Sequence, residues 1–179
     1  MQSRIAKVGE LLRSHLLQAF TLPAWSGLPP QISAAPSATI LDSATAGTLC
    51  VWLYHVAADA SARNEVPLAG PRMGTSVERA LAVDLYYLVT AHAVDSAVAE
   101  ALLEHAAIRL LQEPRVPEPE PGPSAALSFV PVSSSVQEII AVLQGLGQPL
   151  QPALAYRARA ILRPHRSAPT PLRVEERSP

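Results

Sequence analysis

Five histidines, one cysteine and one aspartate set in an apolar run are the residues of this chain best suited to chemistry. His15, His55, His92, His105 and His165 are scattered, and no two share an element at metal-ligand spacing. Cys50 is the only cysteine, so the chain forms no internal disulfide. Inside a strand-like run it is expected to be a buried, reduced thiol rather than a nucleophile. His92 and Asp95 could meet across a turn, which a hydrogen bond at a helix start explains better than an acid–base pair. Asp84 is the one carboxylate expected to be buried, and its simplest role is to pair with an arginine or with backbone amides. An enzymatic or small-ligand reading would need Asp84, His55 and His92 in one place. The only lysine is Lys7, in a helical pattern, which excludes the glycine- and lysine-bearing phosphate loop. Gly145-Leu146-Gly147 follows a helix, the wrong context for a dinucleotide site, and there is no G-x-S-x-G elbow. The residues therefore predict no catalytic group, no cofactor and no metal site.

The elements that would position these residues are easier to read. Leu81, Val83, Leu85, Tyr87 and Val89 alternate with Ala82, Asp84, Tyr86, Leu88 and Thr90. Successive side chains of a strand point to opposite faces, so this period of two predicts a central strand from Leu81 to Ala91 with one face on a core. Thr48–Val56 is rich in β-branched and aromatic residues and predicts an interior strand. The two should pair antiparallel, with the unpatterned stretch Ala57–Arg79 as a long connecting arm. Ile5, Val8, Leu12, Leu16 and Ala19 recur at helical steps, predicting an amphipathic helix over 4–20 that covers its own core or docks on another subunit.

Farther along, Asp95 or Ser96 caps a helix to Gln112, with Val98, Leu102, Ala106 and Leu110 inward and Pro114 as its stop. Residues 114–123 are proline-rich and predict a stiff spacer. Leu127–Val132 reads as a short strand. Ser135-Val136-Gln137-Glu138 is a capping box for a helix that Gly145 and Gly147 are placed to end. Leu154–Leu162 alternates as a half-buried strand with Arg157 and Arg159 on its outer side. A weak edge strand is expected at Gln31–Ala34. The expected fold is α+β, one domain over residues 1–163, with a mostly antiparallel sheet of four to five strands and helices mainly on one face. Residues 164–179 are expected to be a flexible proline-rich tail.

Composition narrows the function classes. A net charge of -1 argues against a nucleic-acid partner, which calls for a basic excess. No run approaches the roughly 20 apolar residues that cross a bilayer, and no apolar stretch follows the N-terminal basic residues. A soluble protein made in the cytoplasm, without membrane insertion, is expected.

Four blocks taken together resemble the cap, or tail-terminator, family of phage-tail-like contractile injection systems, specifically its N-terminal domain. They are Val51-Trp52-Leu53-Tyr54-His55-Val56 followed by Arg63-Asn64, the L-x-x-D-L-Y-Y-L-x-T-A strand from Leu81 to Ala91, the helix ending Ile108-Arg109-Leu110-Leu111-Gln112-Glu113-Pro114, and the stretch from Leu127 to Ala155-Tyr156-Arg157-Ala158-Arg159. The chain departs from the family pattern at Ala141-Val142-Leu143, where a tryptophan is usual, and at Gln151-Pro152-Ala153 before the last strand.

The resemblance implies a tail-terminator-like fold and structural work. Such subunits form a six-fold ring at the end of the tube and sheath away from the baseplate, stop polymerisation there and join sheath to tube. On that reading the partners are further copies of the chain and the sheath and inner-tube subunits, within a particle assembled in the cytoplasm and retained or released. Arg63, Asn64 and Arg72 on the long arm, Arg157, Arg159 and Arg163 on the last strand, and the 164–179 tail are the expected contacts, from exposure and flexibility. A neck or adaptor subunit is the alternative, and an enzymatic or ligand-binding α+β domain is a third.

Overall fold

The computed structural model describes residues 3–21, 25–34, 47–59, 81–117 and 126–162. In chain order these form α1 (Arg4–Ala19), β1 (Gln31–Ser33), β2 (Thr48–Ala58), β3 (Leu81–His92), α2 (Ser96–Gln112), β4 (Arg115–Pro117), β5 (Ala126–Pro131), α3 (Val136–Gly145) and β6 (Ala153–Leu162). The strands make one mixed sheet in the order β1-β2-β3-β6-β5-β4, with β1 parallel to β2 and the other pairs antiparallel. The Leu81–Ala91 alternation thus marks a central strand, flanked by β2 and β6 along nearly its whole length.

The alternation of β3 also sorts the layers. Val83, Leu85, Tyr87, Val89 and Ala91 face the main core, where Val8, Leu12 and Leu16 of α1 and Leu102, Ala106 and Leu110 of α2 are buried with them. Tyr87 meets Phe129 of β5 edge-to-face, with centroids 6.3 Å apart. The two helices are tied to each other at His15, whose ring lies 3.0 Å from the Glu113 carbonyl at the end of α2. A carbonyl only accepts, so Nε2 carries the hydrogen of this bond.

α2 begins as its sequence predicts, with the Asp95 carboxylate accepting from the Ala97 amide at 2.9 Å. α3 is closed at both ends. Ser135 Oγ accepts from the Glu138 amide at 3.2 Å while the Glu138 carboxylate accepts from the Ser135 amide at 2.8 Å. At the other end Gly147, with φ +66°, lets its own amide reach Gln144 O and the Gln148 amide reach Leu143 O, a Schellman close.

Two expectations need correction, and a third holds with one exception. Among the described residues the sheet has six strands rather than four or five, because Arg115–Pro117, expected to be the start of a spacer, pairs with Ala126–Ser128 as β4. Proline is tolerated at a sheet edge, where its missing amide hydrogen faces no partner strand. The helices lie mainly on one face, as expected, with α3 the exception. α1 and α2 cover one side, whereas α3 buries Leu143 on the other against Leu88 and Ala155, with Tyr54, Val132 and Ile139 alongside. The arm between β2 and β3 begins later than expected, since Ala57 and Ala58 still belong to β2. Asp59 follows β2 directly, and the rest of the arm lies outside the described residues, as does the tail.

Candidate interaction surface

On the α3 side of the sheet, the register of β3 and β6 sets Asp84 opposite Arg159 and Tyr86 opposite Arg157. Facing residues of an antiparallel pair stand roughly 5 Å apart at Cβ, close enough for their side chains to meet. Arg157 Nη1 comes 3.5 Å from Asp84 Oδ2, Arg159 Nε comes 3.8 Å from Asp84 Oδ1, and Arg159 Nη2 reaches Asp59 Oδ2 at 2.6 Å. The two carboxylates lie beneath, 10% and 5% exposed, and the guanidinium side chains of Arg157 and Arg159 stand outward at 44% and 52%. Asp84 is therefore a structural anchor, as its sequence setting predicts. What the sequence did not reveal is Asp59, just beyond the predicted strand end, as a second anchor. The outward row of β6 continues through exposed Ile161, and Val130 of β5, opposite Arg157, is exposed too. Beside this row the Tyr86 ring lies 6.2 Å from Tyr54 and 5.3 Å from His55. A register shift between Leu53 and His55 brings both neighbours to the same side of β2.

Of the other predicted contact residues, Arg63, Asn64, Arg72 and Arg163 lie outside the described residues.

The three residues an enzymatic reading needs do not meet. His92 bonds to Thr90 Oγ1 at 3.3 Å. It stands eight residues along β3 from Asp84, and at about 3.3 Å per residue that is about 26 Å. His55 is engaged by the Tyr86 ring. A pocket of about 80 Å³, lined by Ala91, Ser96, Ala99, Glu100, Leu103 and Pro152, contains none of them. Among the described residues no three His, Cys, Asp or Glu side chains gather where they could hold a metal ion, and no helix is long and apolar enough to cross a membrane. Cys50 is a buried free thiol, and burial pushes its pKa up to about 11, against a smaller opposing effect of its bond with Thr90.

The opposite flank is the outer side of α2. Glu100, Glu104, Ile108 and Leu111 are exposed there at helical steps, Leu111 at 79%. Among the described residues neither glutamate has an ion-pair partner, whereas Arg109 is bound to Glu113 and Gln18. His105 stacks on Phe20 and meets Trp25 edge-on. Sequence reading assigned α2 only its inner stripe; the signal for the other side was there, in a helix with few charged residues around its whole circumference.

The fold can be set against known structures. The sheath/tube terminator of an extracellular contractile injection system, PVC, in its extended state superposes with a TM-score of 0.60 at 14% identity, covering 93% of this chain and 58% of that one. The tube-terminating cap of the anti-feeding prophage, AFP, gives 0.54 at 14% identity, covering 92% and 56%. The chain thus spans a little under three fifths of either protein. No curated protein matches the sequence. The family described as the Pvc16 N-terminal domain matches residues 7–176, nearly the whole chain, and the chain belongs to that family.

Proposed function

We propose that this chain is the cap, or terminator, subunit of a contractile injection system, ending growth of tube and sheath and joining the two at the end away from the baseplate. The observation that carries this reading is the agreement of its fold, over 93% of its length, with a sheath/tube terminator, together with its family. The work is structural: residues 1–163 act as one domain, without catalysis or cofactor, and 164–179 act as a tail. Six copies form a ring that binds sheath and inner-tube subunits, within a particle assembled in the cytoplasm and then retained or released. Arg63, Asn64, Arg72, Arg157, Arg159 and Arg163 take part in those contacts. The double anchoring of Arg157 and Arg159 supports their share, because it fixes both guanidinium groups in position before any partner arrives.

Particles from a deletion strain, viewed by electron microscopy, test the reading. Overlong or unstable tubes are expected. Tubes of normal length that lack an attachment would indicate a neck or adaptor instead. A purified chain that binds neither sheath nor tube would overturn the proposal.

A further inference from the structure

We propose that the first half of α2 and the entry to β6 form a docking pocket for a partner peptide, taking a small branched aliphatic side chain that stands beside a lysine or arginine. Ser96, Ala99, Glu100 and Leu103 recur at steps of three and four, so they share one face of α2. With Ala91 near the end of β3 and Pro152 before β6, that face lines a pocket of about 80 Å³. Ala91, Ser96 and Ala99 are small, and the space is what their short side chains leave unfilled.

Size and chemistry select the occupant. A cavity of ~150 Å³ lined by leucine, isoleucine and phenylalanine binds benzene, with its six carbons. Half that volume leaves room for roughly three carbons, the isopropyl group of a valine. Ala91, Ala99, Leu103 and Pro152 give it apolar walls. Glu100 is exposed and has no ion-pair partner among the described residues, and Glu104, one turn on, is in the same state. A cation beside the valine would meet the Glu100 carboxylate, whereas an anion there would be repelled. The surroundings extend the contact beyond one side chain. Val94, two residues before Ser96, is 88% exposed, and Leu150, two residues before Pro152, is 71% exposed. An extended peptide seated in the pocket can cover both. The site lies across the sheet from the Arg157–Arg159 row, and the inference does not depend on the cap reading.

Titration of the nitrogen-15-labelled full chain with the blocked hexapeptide Gly-Ser-Val-Lys-Ser-Gly, followed by NMR, tests it. Saturable shifts are expected at the amides of Ala91, Ser96, Ala99, Glu100 and Leu103, at roughly millimolar peptide. Replacing the peptide's valine by alanine or by phenylalanine should weaken binding roughly tenfold, the first by losing apolar contact and the second by exceeding the space. Replacing its lysine by glutamate should weaken binding about fivefold, and Glu100→Gln should abolish that preference. Ala99→Leu, which fills the pocket from within, should remove binding, while Ala141→Leu on the exposed side of α3 leaves it intact. Shifts confined to other residues, phenylalanine bound as tightly as valine, or no saturable shift would overturn the inference. So would movement of the same amides on dilution of the chain alone, which names a second copy as the occupant, or on removal of residues 164–179, which names the tail. The experiment contains no sheath or tube. Its failure therefore spares the cap reading, and a chain that binds neither polymer can still pass it.

Discussion

At the scale of single residues, His15 ties stability to pH. Burial first, and then the Arg109 guanidinium, hold its pKa below the ordinary 6.5. The unfolded chain, with an ordinary histidine, binds a proton that the folded chain resists, so stability is greatest above pH 6.5 and falls as pH drops from there through the folded value. His92, lowered by burial, acts in the same direction. Urea midpoints measured from pH 7.5 to 5 should fall in the native protein and fall less steeply in His15→Gln; equal slopes would remove His15 from the explanation. Gly47 makes a second prediction. Its φ is +89°, and a Cβ there would come 2.8 Å from Leu102 Cδ1 and 3.0 Å from the His92 carbonyl. Gly147, at φ +66°, has nothing within 4 Å of such a Cβ. Gly47→Ala should therefore lose on the order of 2–3 kcal/mol, adding a clash to backbone strain, and Gly147→Ala about 1 kcal/mol from strain alone. Thermal unfolding of the two variants decides whether the difference has that sign.

At the scale of elements, α3 depends on its ends more than on its core contacts, since Leu143 is its only buried residue. Ser135→Ala removes one bond of the capping box and loosens the other, at a cost of about 1 kcal/mol. Hydrogen exchange should then rise in the first turn of α3 while β3 stays protected. Much of this level was legible in the sequence. The period of two along Leu81–Ala91, the Asp95 and Ser135 caps and the alternation of β6 depend on neighbours in the chain, and local patterns record them. What was hidden depends on partners far along the chain. Val116 is the one buried residue of β4, and the prolines around it read as a spacer until the pairing with Leu127 is known. The shift at Leu53/His55 leaves T-L-C-V-W-L-Y-H-V looking like an unbroken strand. Which face α3 would cover turned on Leu88 and Ala155, two small contributions from separate strands. The candidate surface divides in the same way: Arg157 and Arg159 were visible as an outward row, but the carboxylates under them and the acidic flank across the sheet are products of the fold.

For the molecule as a whole, the sheet separates two unlike flanks, and the same separation leaves Cys50 in the interior. It lies on β2 with Thr90 of β3 opposite and Ser33 of β1 on its other side. A thiol with a pKa of about 11 is almost wholly protonated at neutral pH, and burial denies it to reagents as well. Modification at neutral pH is therefore confined to moments when β2 parts from its neighbours. The protein carries a built-in gauge of its own opening, readable by mass without any added label. If copies assemble into a ring, the rate at which Cys50 reacts becomes a direct measure of how far assembly clamps the interior of each subunit.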